Sequence, residues 1–343
     1  MRLGVSGGTL VASVLLTSGL VLAACSSTTG GKPPAKSSGT GQPSVTSSAN
    51  AAASSPPGQS STQAAEPTKP VHVSLLEGDG GVYGIGMPII TYFDHTVTDA
   101  TAFEDATKVS VNGKPAAGAW YWEKSGRSSE VLEAHYRLQA YWPAHAKIFV
   151  DLPVKGLSAG KGLAYDDSLT LSISTGAAHV ATVDCRSEKM TVTSASKVVR
   201  TLPTSCGAAD TPTFTGTKLV MQKGENLPGS AKFRPEGAVR MHSNEPGNTY
   251  DLLVPWSLRL TNSGEYAHAA SWNGGNIGVR STSHGCTNLN VADAKWFYTF
   301  SRIGDVLTYA NTGGQKMPSW DGYGDWNLAW GVWRAGGVVP GSR

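Results

Sequence analysis

The chain has 343 residues, 40% of them hydrophobic, enough to bury a sizeable core and to suggest two domains as a prior. Its 28 Lys and Arg against 25 Asp and Glu leave a formal charge of +3, too slight to argue for a nucleic-acid partner. Four Cys are too few for a disulfide scaffold, and the absence of any C-x2-C pair removes the usual zinc spacing, so no metal is expected.

Residues 1–24 read as an export signal. Arg2 is the early positive charge, and Thr9 to Ala24 is a mostly apolar run without charge. Leu22-Ala23-Ala24-Cys25 resembles a bacterial lipobox, which implies that Cys25 becomes the lipidated first residue of the mature protein. No later stretch approaches 18 apolar residues, so no spanning segment is predicted beyond it. Residues 26–69 hold 35 Ser, Thr, Gly, Pro or Ala out of 44, too little apolar surface to offset the entropy of ordering. With Cys25 and Pro70 they form the predicted tether, 25–70, about 35 Å long as a coil and roughly 150 Å when stretched. The expected location is the outer face of the cytoplasmic membrane, with the folded part facing the wall polymer.

From 71 to 177 the pattern is short alternating strands, predicted at Val71–Leu76, Gly84–Phe93, Lys108–Val111, Ala119–Glu123, Val131–Gln139, Lys147–Leu152 and Ser168–Ser174. Asn112-Gly113 marks a hairpin turn. Roughly seven strands in about 105 residues with no clear helix indicate an immunoglobulin-like β-sandwich, read as a spacer. His135 and His145 are expected to be structural or surface residues. A second mostly-β domain, 178–312, starts near His179, with strands predicted at Lys189–Thr193, Lys197–Leu202, Lys218–Met221, Ala238–His242, Leu252–Leu260, Tyr266–Ala270 and Val306–Tyr309. One helix is predicted over Val291–Ser301, capped by Asn290, with Trp296, Phe297, Phe300 and Ile303 at helical spacing and Gly304 as its stop. The tail, 313–343, carries four Trp. Trp326, Trp330 and Trp333 fall at i, i+4, i+7, and the expectation is that they dock the tail onto the second β domain.

Export implies an oxidising compartment. With Cys25 lipidated, Cys185, Cys206 and Cys286 remain, an odd number that leaves at least one free thiol. Three pairings are possible. Cys185 and Cys206 flank the opening strands of the second domain, and a bridge there would close a loop of about twenty residues, worth on the order of 3 kcal/mol. Cys286, in Ser283-His284-Gly285-Cys286-Thr287-Asn288, would then be free. An imidazolium at His268 or His284 would lower its pKa, so a thiolate is predicted at working pH, and Gly285 would let nearby amides face an oxyanion. These are the parts of a cysteine acyl-transfer site.

His268 followed after 14 residues by the Ser283–Asn288 hexapeptide closely resembles the signature of the bacterial L,D-transpeptidases, and the likeness covers roughly 179–340. Pro203-Thr204-Ser205, Ala294-Lys295-Trp296-Phe297-Tyr298 and Gly324-Asp325-Trp326-Asn327 are similar to the actinobacterial lipoprotein type. The resemblance implies a mostly-β fold, an immunoglobulin-like domain followed by the catalytic domain, and an enzyme without cofactor or metal. Its partners would be peptidoglycan stem peptides, with carbapenems as inhibitors. Cys286 would attack the third residue of a donor tetrapeptide, expel D-Ala, and pass the acyl group to a diamino-acid side chain, giving a 3→3 cross-link. His268 would be base and acid, and the amides of His284, Gly285 and Cys286 would hold the oxyanion. Tyr250, on a covering loop, with Ser263, Gly264, Ser283 and Asn288, would contact substrate, and Trp272 would border the site. Ala269 stands where Ser is common, a position expected to act through its carbonyl. Asn262 stands for an aromatic on the substrate wall, and Cys206 for an apolar residue, which fits an added bridge to Cys185. One sandwich precedes the catalytic domain where some relatives have two. Alternatives are an L,D-carboxypeptidase that gives the same thioester to water, attachment of a lipoprotein to the wall, or a non-catalytic wall-binding spacer.

Overall fold

The computed structural model describes residues 68–127, 130–225, 236–245 and 248–343, all within one packed unit, Gln63–Arg343. The export signal, Cys25 and nearly all of the tether lie outside the described residues. Among those described, no helix is long and apolar enough to cross a membrane.

The first domain is built from sheets of four, five and three strands. In the four-stranded sheet Val73–Leu75, Ile89–Phe93, Leu132–Leu138 and Gly118–Lys124 are neighbours in that order. The five-stranded sheet runs Val82–Tyr83, Leu169–Thr175, Lys147–Leu152, Lys108–Val111, Lys114–Pro115. Asn112 (φ 51°) and Gly113 (φ 76°) turn the last hairpin, both left-handed as a primed two-residue turn requires. Phe93 stacks on Trp122 at 5.0 Å, and Phe103 meets Trp120 and Trp122 edge-on at 5.2 Å each. Phe103 sits on Thr101–Ala106, a helix the strand pattern hides because six residues are too few for a period to emerge.

The second domain opens on a five-stranded sheet in the order Lys197–Pro203, Lys189–Ser194, His179–Asp184, Val306–Ala310, Gly216–Leu219. A four-stranded sheet follows: Gln222–Lys223, Leu258–Arg259, Tyr266–Ala269, Thr287–Leu289. Val239–Glu245 and Asn248–Val254 form a separate hairpin. The single strand expected over Leu252–Leu260 is broken, because Pro255 lacks an N–H and Trp256 is left-handed at φ 53°. The helix Val291–Phe300 buries Ala294 and Phe297 against the sheets. Asn290 holds the N-cap position but makes no side-chain cap bond, and the helix closes with Ser301 as its C-cap, at the expected end and three residues before Gly304.

The tail corrects the expectation made for it. It runs back onto the first domain and does not form one helix, since Leu328 and Ala329 are extended between Asp325–Asn327 and Trp330–Trp333. The three indoles instead surround the buried guanidinium of Arg137, at 4.6, 5.3 and 4.3 Å for Trp326, Trp330 and Trp333. Arg137 also donates to the carbonyls of Asp325 and Leu328. Trp326 donates to Gly86 O (2.8 Å) and Trp333 to Ala119 O (2.9 Å), while Asn327 bonds Thr217 of the second domain. The tail therefore straps the two domains together. Their direct contact combines an apolar cluster, with Ile85, Met87, Ile90, Leu219 and Val306, and backbone bonds from Gly84 N–H to Ile303 O (2.7 Å) and from Gly86 N–H to Gly304 O (3.0 Å). Gly84 must be glycine there, because any side chain would collide with the backbone of Gly304 and Asp305. His135 is buried against the tail and His145 is exposed, as expected of structural and surface residues.

Arg137→Ala removes charge-assisted bonds and three cation–π contacts at once, so a loss of about 2–4 kcal/mol in urea unfolding is expected. A change below about 0.5 kcal/mol, the usual surface value, would contradict the strap.

Candidate active site

Tyr266–Ala269 and Thr287–Leu289 pair in parallel, with His268 opposite Asn288 and Ala267 opposite Thr287. This pairing brings the loop that ends in Cys286 beside the strand that carries His268. Both side chains line one cavity of about 450 Å³. The hairpin supplies its apolar wall through Tyr250, Leu252 and Val254, alternate residues of one strand face, and Met241. Tyr250 is thus on a strand rather than a loop, its ring 6.5 Å from that of His284. Asn273, Asn276 and Thr282 add polar groups.

Cys185 and Cys206 are bridged, 21 residues apart, and Cys286 is a free, partly buried thiol. The bridge bears on the site, because the carbonyl of Cys206 accepts the N–H groups of both Thr282 (2.9 Å) and Ser283 (3.0 Å). The far side of the loop is held by Thr213, whose hydroxyl donates to Gly285 O at 2.8 Å. Gly285 has φ +115°, a conformation that requires glycine.

His268 is 3% exposed, and its Nδ1 lies 3.0 Å from Ala269 O. A carbonyl only accepts, so the proton is on Nδ1 and the lone pair on Nε2. Burial pushes the ring down to about 4, only partly offset by that bond. Burial likewise pushes the Cys286 thiol up to about 11; the Tyr266 N–H and Lys218 oppose the rise and Glu265 adds to it. The resting site is therefore a neutral thiol and a neutral imidazole. The predicted thiolate is corrected: desolvation outweighs any imidazolium, and the thiol's hydrogen bond goes to Gly264 O at 3.8 Å.

Other expected site residues separate into those at the cavity and those elsewhere. Trp272, 57% exposed, stacks on His268 at 5.8 Å and forms a rim. Asn288 is among the lining residues and is 3% exposed, and its buried Oδ1 has no hydrogen-bond partner. Gly264 adjoins Cys286 through its carbonyl. Ser283 lines the cavity but its hydroxyl serves the turn, donating to Cys286 O at 2.6 Å and accepting from Gly285 N–H. The amide of Gly285 is thereby taken, so of the three amides expected at an oxyanion it is already committed within the turn. Ser263 is not in the lining: Asp321 of the tail binds its N–H and its hydroxyl, each at 2.6 Å. Asn262 is also elsewhere, on a cavity between the domains, so it does not border the substrate site.

Lys218, Glu265 and Asp321 went unnoticed in the sequence because their importance comes from burial. Lys218 is fully buried and ion-paired with Glu265, whose other oxygen accepts Phe214 N–H at 2.7 Å. Burial lowers Lys218 and raises Glu265, each opposed by the other's charge. Lys218 also lies 3.9 Å over Tyr309, whose hydroxyl meets that of Thr287 at 2.7 Å, directly after Cys286. Lys218→Met should cost about 3–5 kcal/mol in urea unfolding by stranding the carboxylate, with much of it recovered in Lys218→Met/Glu265→Leu. A single-variant loss below about 0.5 kcal/mol would contradict this role.

Residues 38–158 match the bacterial Ig domain and residues 178–308 the L,D-transpeptidase catalytic domain. The chain is 32% identical over 274 residues to L,D-transpeptidase 2 of Mycobacterium tuberculosis, covering 79% of this chain and 64% of that one. It is 25% identical to L,D-transpeptidase 5 of the same species, covering 80% and 58%. The chain thus spans less than two thirds of the length of these two relatives. Its fold is similar to that of an LD transpeptidase, LdtMt1, in complex with imipenem, with a TM-score of 0.56 and 26% identity over 71% of this chain and all of that one. An L,D-transpeptidase from Mycobacterium smegmatis gives 0.54 and 26% over the same shares.

Proposed function

Residues 178–308 belong to the L,D-transpeptidase catalytic family, and on that premise we propose that the protein is an acyltransferase joining peptidoglycan stem peptides through a thioester on Cys286. The observation that carries this reading is an unbridged thiol sharing a 450 Å³ cavity with a buried imidazole whose Nδ1 proton is already committed. Neutral partners suit a step in which proton transfer accompanies attack.

Sγ of Cys286 bonds to the carbonyl carbon of the third donor residue while its proton passes to Nε2 of His268. The amides of His284 and Cys286 hold the oxyanion. The C–N bond to D-Ala then breaks, and the same proton leaves with the amine. The side-chain amine of a diamino acid in a second stem attacks the thioester, gives its proton to His268, and displaces Sγ, which recovers a proton. The product is a 3→3 cross-link. The apolar wall of the cavity suits the aliphatic stem of the donor, with Asn288 among its polar residues.

A carbapenem imitates the donor, with the β-lactam C–N bond opening in place of the D-Ala bond, so the inhibitor's full mass should be retained on Cys286. Intact mass spectrometry with imipenem should give one adduct on the full chain and none on Cys286→Ala. His268→Ala should slow its formation by roughly 10²–10⁴. An undiminished adduct on Cys286→Ala, or a near-normal rate with His268→Ala, would refute these roles. Lipidation of Cys25 and a tether that carries the catalytic domain toward the wall complete the proposal.

A further inference from the structure

Glu123 and Glu133 face each other directly across the pair Gly118–Lys124 and Leu132–Leu138, and His135 projects from the same side of the sheet. Opposed carboxylates destabilise a sheet, and these are only 6% and 5% exposed. Asp325 adds a third, wholly buried carboxylate. Among the described residues, none of the three pairs with Lys or Arg. Arg137, next along the same face, is turned instead to the tail carbonyls and indoles.

Each of the first three residues is anchored through one atom. Ser319 donates to Glu123 Oε2 at 2.9 Å, Ser125 to Glu133 Oε2 at 3.0 Å, and Asp325 Oδ1 lies 2.6 Å from Nδ1 of His135. The remaining donors converge. One from each residue lies within 4.8 Å of the others, with His135 Nε2 3.6 Å from Glu133 Oε1, too long for a hydrogen bond. Glu123 Oε1 and His135 Nε2 are buried without any hydrogen-bond partner, though His135 is 1% exposed. Asp325 can only accept, so it takes the Nδ1 proton and turns Nε2 toward Glu133, the arrangement that orients metal-bound imidazoles. Burial opposes a charge on His135, but Asp325 and Glu133 together raise the ring well above its ordinary value, so a cation entering the site displaces a proton from Nε2.

We propose that Glu123, Glu133 and His135 bind a divalent transition-metal cation, with Zn²⁺ favoured, and that Ser319 and Asp325 of the tail are its outer-sphere partners. One imidazole and two carboxylates suit Zn²⁺, whereas Mg²⁺ and Ca²⁺ prefer oxygen alone. Bonds of about 2.0–2.2 Å require the three donors, which lie within 4.8 Å of one another, to draw together around the ion. Glu133 and His135 open onto an interdomain cavity of about 310 Å³, which offers an entry path and room for a water as fourth ligand. The ion is structural. It joins the first sheet to the tail, and so to the strap that holds the catalytic domain.

The test uses the full chain as Cys286→Ala, which removes the thiol as a competing ligand, stripped with EDTA and titrated calorimetrically with ZnCl₂. One equivalent should bind and raise the melting temperature by a few degrees. Adding Asp325→Asn should weaken binding by roughly 10–100-fold, and adding Glu123→Gln by at least as much. Absence of uptake, or uptake unchanged by Glu123→Gln, would overturn the site. Zinc-edge absorption on Cys286→Ala decides the matter should the added variants fail to fold. One imidazole with oxygen neighbours is expected, whereas two imidazoles would assign the ion to His268 and His284 and refute the proposal.

Discussion

A carbonyl oxygen cannot donate, and the Ala269 carbonyl 3.0 Å from Nδ1 therefore decides which nitrogen of His268 holds the proton. The bond is local, between neighbours on one strand, yet the site's chemistry depends on it. With Nδ1 committed and the ring buried, Nε2 is a bare lone pair over a wide pH range. The same burial keeps the proton on Cys286, so the pair is ready to exchange a proton with a substrate and does not rest as an ion pair.

Much of the second domain serves to hold the Cys286 loop against that strand. The disulfide fixes the carbonyl of Cys206, which takes two loop amides. Thr213 takes the carbonyl of Gly285, and Ser283 closes the turn from within. Beneath lie Lys218, Glu265 and Tyr309, a buried polar layer that is satisfied only in this arrangement. Such over-determination suits a left-handed glycine beside a nucleophile, where a small displacement would misalign the attack.

The chemistry of this chain was more legible in its sequence than its packing. Parity required a free thiol without saying which, and the spacing of His268 from the Ser283–Asn288 loop carried the family resemblance, because short motifs encode local geometry. Lys108–Val111 and Lys147–Leu152 were readable to the residue, since strict alternation on a half-buried sheet fixes which residues face in. Ser263 and Asn262 misled because their surroundings are set by the tail, more than fifty positions on. The Ala195–Ser196 turn falls in the gap between two predicted strands, and only its left-handed backbone was illegible, since neither residue normally signals such a turn. The protonation state also escaped, since it depends on burial that no local pattern reports.

The tail gives the two domains a common fate. Its indoles enclose Arg137, its Asp325 meets His135, and its Asp321 holds the segment just before Gly264, whose carbonyl receives the thiol. Spacer and catalytic domain are joined through those side chains, and the geometry at Cys286 inherits their order. At the centre remains the state of one ring, which nitrogen-15 resonance of His268 in the free protein observes directly. A neutral ring protonated on Nδ1 should persist from about pH 8 to about pH 5, charging only as the pH nears about 4. An imidazolium at neutral pH, or a proton residing on Nε2, would contradict the account.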